Sequence, residues 1–308
     1  MPPDPVETSP AQRFRAALDA AGRRRGLDAT GAEVLRLHGS GIYHLPRENL
    51  VGRVLPATEV DRRRITTALA VTTWLADRDF ACIRPASGDL TEVGGCLVSF
   101  WHYLPQPPRT GRGPSTVMGT LLRELHALPR PPFTLPPVVP LARLERALAR
   151  DATRPQPVLA DAQRRYLEER VIQVGAAYDA LEFPLGLGLI HNDAHVGNLL
   201  VDPRSPIGYV LGDWDGAGLG PRETDLVPEG APGDRFGRTE EERRGFCTAY
   251  GYDLAHWPGW RTLRELRDIH ALASHIRAAP AKPAARAELE LRLASLMTGR
   301  RAPWRAVA

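Results

Sequence analysis

Residues 186–215 read GLGLIHNDAHVGNLLVDPRSPIGYVLGDWD, and the chain's chemistry is concentrated in this stretch. The apolar run Leu187 to Ile190 has the length and content of a buried strand. It ends in His191-Asn192-Asp193, with Asn198 five residues beyond Asp193. Leu199 to Val201 reads as a second strand, Asp202-Pro203-Arg204-Ser205-Pro206 as a turn, and Ile207 to Leu211 as the returning strand. A hairpin centred near Ser205 and Pro206 sets Asn198 roughly opposite Asp213. The expectation is a carboxylate, an amide oxygen and a second carboxylate gathered at one end of a small hairpin.

Such a trio suits magnesium-dependent phosphoryl transfer. Mg2+ takes hard oxygen ligands, keeps several waters and needs one or two carboxylates plus the phosphates of a nucleotide. In that reading Asn198 and Asp213 hold the metal, and Asp193 accepts the proton of an attacking hydroxyl. The bare spacing H-x-D-x-x-x-x-N arises by chance in on the order of a few per cent of chains this long. The spaced Leu211, Asp213-Trp214-Asp215 and Gly220-Pro221-x-x-x-Asp225-Leu226 make chance a poor explanation.

Taken together, His191, Asp193, His195, Gly197, Asn198 and Leu199, then Asp213-Trp214-Asp215, then Gly220, Pro221, Asp225 and Leu226 resemble the aminoglycoside phosphotransferase family within the protein-kinase-like fold. The departures here are Asn192 for Gly, Gly212 for an aliphatic residue and Thr224 where Trp is common. The resemblance implies an α+β, bilobed fold. A small N-lobe would carry an antiparallel sheet and one helix, and a larger, mostly helical C-lobe would carry the catalytic hairpin. On that basis residues 1–30 are an N-terminal extension and helix, 31–105 the nucleotide-binding N-lobe, and 106–308 the C-lobe. It implies ATP, or another nucleoside triphosphate, and Mg2+ as cofactors, Asp193 as catalytic base and His191 as a prop that shapes the loop.

Outward from this stretch, Glu33 to Pro46 reads as strand, tight Gly39-Ser40-Gly41 turn, strand. Glycines there let backbone approach phosphates closely, though an ordinary hairpin has the same signature. The next strand, Leu50 to Leu55, contains Arg53, where the family carries a basic residue that touches nucleotide phosphates. The helix after it, Thr58 to Asp77, is the family's source of a mid-helix Glu that braces this residue. Alignment puts that position near Ala68, so the partner of Arg53 is not recognisable. Cys82 to Pro85 and Gly95 to Tyr103 read as further strands. By resemblance the backbone of Trp101, His102 and Tyr103 meets adenine, while an aromatic-rich strand end is also an ordinary core feature.

Pro105 to Pro114 marks an interlobe boundary. Helices are expected over Gln12 to Leu27, Val117 to Leu128, Leu141 to Arg150, Asp161 to Leu181, Thr239 to Tyr250, Arg261 to Ala278 and Pro283 to Met297. Gly216 to Arg238, with Glu223, Asp225, Glu229 and Asp234, reads as loop. His126 reads as a packed or capping residue rather than a catalytic one.

Composition excludes several classes. The chain has 308 residues, 43% hydrophobic and 25% charged, with a formal net charge of +4 spread along its length. A modest, dispersed charge does not point to nucleic acid. Lys282 is the only lysine. The Pro-rich start MPPDPVETSP lacks a basic segment and an apolar h-region, and no run approaches 18 apolar residues, so neither a signal peptide nor a membrane span is expected. Cys82, Cys96 and Cys247 form no paired motif and read as buried thiols of a reducing cytoplasm. Partners are then a small-molecule hydroxyl acceptor, with a Ser or Thr of a biosynthetic peptide or a biosynthetic partner protein as alternatives, and the chain is a monomer or dimer.

Two rivals remain. One is a kinase-like binding module of weak catalysis, which the missing mid-helix Glu allows. The other is a metallohydrolase with His191, Asp193 and His195 as alternating ligands, which needs further ligands at close spacing.

Overall fold

In a computed structural model of the chain, the described residues are 9–37, 39–108, 111–233, 235–300 and 302–305. The Pro-rich start through residue 8 and Asp234 lie outside them. The chain divides into two units, one built from residues up to 113, 129–136 and 197–218, the other from 114–128, 137–196 and 219 onward.

The first unit begins with α1 (Pro10–Arg25), which starts on a Ser9 N-cap with Gln12 completing a capping box and stops at Gly26 in the left-handed region. These are strong start and stop signals, and each satisfies backbone groups that a helix end leaves open. Its buried stripe of Phe14, Ala17, Leu18 and Ala21 packs on a five-stranded antiparallel sheet. The strands are β1 (Glu33–Leu37), β2 (Gly41–Leu45), β3 (Leu50–Pro56), β4 (Thr91–Val93) and β5 (Cys96–His102), in spatial order β1-β2-β3-β5-β4. Burial alternates along β2 and the first half of β3, as a period of two requires. Gly52 permits the close approach of α1: a Cβ there would lie 2.3 Å from Leu18 Cδ1. The opposite face of the sheet, through Leu55, Leu97 and Trp101, buries Ile65 and Leu69 of α2 (Glu59–Ala76).

Cys82 to Pro85 is not a strand. It makes single bridges, Cys82 to Leu211 and Pro85 to Trp101, because proline has no N–H with which to extend a ladder. Instead β4 forms, joined to β5 through Gly94 and Gly95, both at positive φ (58° and 69°). That is the geometry of a two-residue hairpin turn. All three cysteines are buried free thiols, and burial pushes Cys82 up to about 12.

The second unit is mostly helical: α3 (Ser115–Ala127), α4 (Ala142–Ala152) and α5 (Asp161–Asp179) precede the short strand β6 (Leu187–Ile190). The chain then contributes the hairpin of β7 (Leu199–Val201) and β8 (Tyr209–Leu211) to the first unit. After β9 (Gly218–Pro221), which pairs with β6, come α6 (Glu223–Gly230), α7 (Glu240–Tyr250), α8 (Trp260–His270), α9 (Leu272–Ala278) and α10 (Pro283–Thr298). The loop expected over Gly216 to Arg238 is therefore partly strand and helix. Pro228 sits inside α6 and nearly every α6 side chain is buried, so the segment lacks an amphipathic stripe. The helix expected over Arg261 to Ala278 is divided at Ala271 into α8 and α9. Close packing of α3 on α7 depends on Gly119, where a Cβ would stand 2.6 Å from the Phe246 carbonyl oxygen. Among the described residues no helix is long and apolar enough to cross a membrane.

Asp151, fully buried at the end of α4, accepts the backbone N–H of Val158 (2.9 Å) and Leu159 (3.2 Å) and pairs with Arg154 and Arg164. Burial acts to raise its pKa, but these donors together hold it below the ordinary carboxylate range. Its contribution to stability is therefore present above that range and lost as pH falls through the depressed pKa. Asp151→Asn should cost about 3–5 kcal/mol, since it leaves two guanidiniums beside an uncharged group in a buried site. Urea denaturation at pH 7 checks this, and an unchanged midpoint would refute it.

Candidate active site

In the second unit β6 delivers the chain into the loop at His191. His191 is fully buried, and its backbone N–H donates to Asp225 Oδ2 (2.7 Å), while Asn192 N–H donates to Asp225 Oδ1 (2.6 Å). Asn192 has φ 62°, which explains why Asn can stand where the family has Gly: it tolerates the left-handed region better than other side chains. Asp225 also meets His126 Nε2 (3.2 Å), whose Nδ1 is 2.9 Å from the Tyr250 hydroxyl. Glu229, buried one turn further along α6, accepts Val196 N–H (3.2 Å) and Ser115 Oγ–H (2.9 Å). Residues 191 to 196 are thus strapped at both ends to two acids of α6.

Between the straps Asp193 is exposed, its side chain 54% accessible, and Asp193 Oδ1 is 3.7 Å from His195 Nε2. Burial lowers the pKa of His195, although the Asp193 charge works the other way. The loop presents an exposed carboxylate on a support held by Asp225 and Glu229.

In the first unit, Leu199 pairs with Leu211 and Val201 with Tyr209. This register centres the hairpin on Ser205 and sets Asn198 across from Gly212, whose N–H donates to the Asn198 carbonyl oxygen (2.8 Å). The expected Asn198–Asp213 opposition is therefore corrected by one residue. The turn is set by Asp202 N–H to Gly208 O (3.0 Å) with Gly208 at φ 72°, not by Pro206. Asp213 follows at once, exposed and left-handed (φ 56°, ψ 60°). For a residue other than glycine that conformation costs roughly 1–2 kcal/mol and persists where the surroundings enforce it. Trp214 supplies the enforcement: it is buried, donates Nε1–H to the Leu211 carbonyl (2.9 Å) and stands edge-on to Phe80.

Arg53, on β3, does have a partner. Its Nη1–H donates to Asp215 Oδ1 (2.6 Å) and its Nη2–H to Asp215 Oδ2, a bidentate pair. Arg64 of α2 reaches the same carboxylate (3.4 Å). Burial alone would lower the Arg53 pKa, but Asp215 foremost, with Asp213 and Asp61, raises it and keeps the guanidinium charged. Ala68, where a mid-helix acid was sought, is a buried apolar position.

Gly39 and Ser40 form the bend before β2, and Gly41 opens that strand. Nothing lies within 4 Å of a Cβ at Gly39, so the tip faces open space. Trp101 is a core residue that donates Nε1–H to Ser99 Oγ (3.0 Å). His102 N–H is taken by the Arg84 carbonyl (3.0 Å) and Tyr103 N–H by the Asn49 carbonyl (3.1 Å), while the Tyr103 ring stacks on His44. Those two donors are committed within the unit.

Sequence reasoning missed three residues. Asp215 was visible within the Asp-Trp-Asp motif but unassigned, and Arg64 carried no signal. Gln106, just past β5, clamps the β7 backbone, accepting Val201 N–H (2.9 Å) and donating to the Val201 carbonyl (3.1 Å). Nothing in its local sequence announced this.

A five-stranded antiparallel sheet with its helix, a helical unit with a strapped H-x-D loop, and a hairpin leading into Asp-Trp-Asp define a protein-kinase-like phosphotransferase. The chain belongs to the phosphotransferase enzyme family, which it matches over residues 12–266. No curated protein matches it by sequence. Among solved structures it is similar to an amicoumacin kinase in complex with AMP-PNP, Ca2+ and Ami (TM-score 0.66, 12% identity, 94% of this chain and 96% of that one). It is also similar to a microcompartment-associated aminopropanol kinase (TM-score 0.63, 15% identity, 88% and 94%). A third is an aminoglycoside phosphotransferase from Streptomyces rimosus (TM-score 0.58, 19% identity, 85% and 98%). At these identities the structural likeness speaks to the fold.

Proposed function

We propose that the chain transfers the γ-phosphoryl group of ATP, or another nucleoside triphosphate, to a hydroxyl of a small molecule in the cytoplasm. The observation that carries this reading is Asp193: an exposed carboxylate on a loop fixed by Asp225 and Glu229. Asp193 accepts the hydroxyl proton as the oxygen attacks, and the fixed loop supplies positioning, the main source of rate in such sites. His191, buried behind it, shapes the loop. Arg53 offsets phosphate charge, and the Gly39-Ser40-Gly41 bend lets backbone approach the nucleotide. With His102 and Tyr103 N–H committed, adenine contacts from the Trp101 to Tyr103 stretch fall to other groups.

Asn198 and Asp213 fit Mg2+. Both offer hard oxygens, and two protein ligands leave room for water and phosphate oxygens. When bound, the ion neutralises negative charge on the phosphates. In this reading residues 31–105 form the nucleotide lobe, 106–308 the lobe of loop, metal site and acceptor, and 1–30 an extension. The metallohydrolase alternative lacks support: among the described residues no three His, Cys, Asp or Glu side chains are arranged to hold a metal.

Several acids of the second unit are engaged within the protein. Glu223 accepts Leu185 N–H, Asp225 and Glu229 hold the loop, Asp253 and Glu240 pair with Arg243, and Asp268 pairs with Arg235. Arg143, Arg146 and Arg267 stand close enough to His270, as does Asp193, that burial and these guanidiniums together bring its pKa to about 4. These guanidiniums favour a neutral or anionic hydroxyl acceptor over a polyamine. Incubation with labelled ATP, Mg2+ and hydroxylated acceptors of three charge classes tests both statements. Phosphorylated neutral or anionic products are expected. Products from polyamines alone would overturn the acceptor class, and nucleotide binding with no product from any class would favour the binding module.

A further inference from the structure

We propose that Asp215 is the positioning residue for Arg53, and that together with Arg64 it replaces the mid-helix acid this chain lacks. The proposal rests on the nucleotide-binding reading above and identifies what makes Arg53 competent in it.

A guanidinium on a central strand needs a fixed partner, because its stem has many rotamers and its charge is costly to bury. The side chains of Arg53 and Asp215 are 19% and 11% exposed, so the pair is shielded from water and its geometry is defined by protein contacts. Both Nη groups bond the two carboxylate oxygens in the fork arrangement that fixes the guanidinium plane. Among the described residues the buried Nε has no hydrogen-bond partner, and it is Asp215 that orients the head group through hydrogen bonds.

Asp215 is itself fixed. It follows Trp214, which is anchored in the core, within the 3-10 turn Trp214–Gly216. Arg64 of α2 then bonds both the Asp215 side chain and its backbone carbonyl (each 3.4 Å). Where a mid-helix acid would join the helix to the strand directly, here the helix contributes a base and the loop contributes the acid. The polarity of the link is inverted, yet strand, helix and metal loop remain tied through one carboxylate. A lysine at position 53 could not satisfy this fork, which accounts for arginine there.

The test uses the full chain and calorimetry with Mg2+ and AMP-PNP, with steady-state kinetics alongside. Asp215→Ala should weaken nucleotide binding about 10- to 100-fold, the range typical of residues that orient a binding group from behind. It should raise the KM for ATP while leaving the KM for acceptor unchanged, and Asp215→Glu should restore part of the affinity. Arg64→Ala should give a smaller loss in the same direction. In a double-mutant cycle, Arg53→Ala should add nothing to Asp215→Ala. Should Asp215→Ala not fold, Arg64→Ala and Asp215→Glu carry the same measurement. Wild-type affinity in Asp215→Ala, or tighter binding, would overturn the proposal while the kinase reading stands. Failure of the wild-type chain to bind Mg2+-nucleotide would overturn both.

Discussion

Asp193→Ala is expected to lower kcat for phosphoryl transfer by about 10²- to 10⁴-fold, the range for loss of a positioned general base. Nucleotide affinity should not change. The separation follows from where the residue sits. Asp193 lies between Asp225 and Glu229, which bond backbone groups on either side of it, so removing an exposed carboxylate leaves the loop's supports in place. Asp193→Asn, which keeps the shape but cannot accept the proton, should behave like the alanine variant. Single-turnover rates measured beside calorimetric affinities distinguish lost chemistry from lost binding. Turnover near wild type in either variant would remove Asp193 from the mechanism.

Asp213 should show the complementary pattern. Asp213→Asn is expected to weaken Mg2+-nucleotide binding by about 10- to 100-fold and to flatten its dependence on magnesium concentration. Asparagine is the informative substitution because position 213 is left-handed, at φ 56°. Asn accommodates that backbone, whereas Ala adds roughly 1–2 kcal/mol of conformational cost that would be mistaken for lost ligation. The measurement is a nucleotide titration repeated across a magnesium series. An Asp213→Asn protein that follows the wild-type curve would remove this residue from the metal site and leave Asn198 unsupported.

Much of this site was legible without coordinates, and the reasons differ by element. The loop and hairpin announced themselves because strand runs, turn residues and chemically distinctive side chains are adjacent in sequence. Most helices were found to within two or three residues, since their apolar stripes and caps are local signals. Segments that depend on tertiary contacts were not found. Strand β4 is three residues long and forms because β5 is there to pair with it. Helix α6 contains a proline and is buried nearly all round, so it lacks the periodicity that identifies a helix. The hairpin centre, expected near Ser205 and Pro206, falls on Ser205, with Gly208 closing the turn.

The partner of Arg53 shows the boundary most clearly. The sequence by itself displayed the H-x-D loop, the Asp-Trp-Asp motif and the absence of an acid in the middle of α2, which are properties of residue type and local spacing. Its resemblance to a known family implied the α+β phosphotransferase fold. That Arg53 bonds Asp215, 162 residues further along, and that Arg64 shares the same carboxylate, was decided by tertiary structure. Ion pairs form between side chains that packing brings within about 4 Å, and distance along the chain carries no information about that approach. The same holds for the two α6 acids that strap the loop: their identity was plain, but only the fold aims them at its backbone N–H groups.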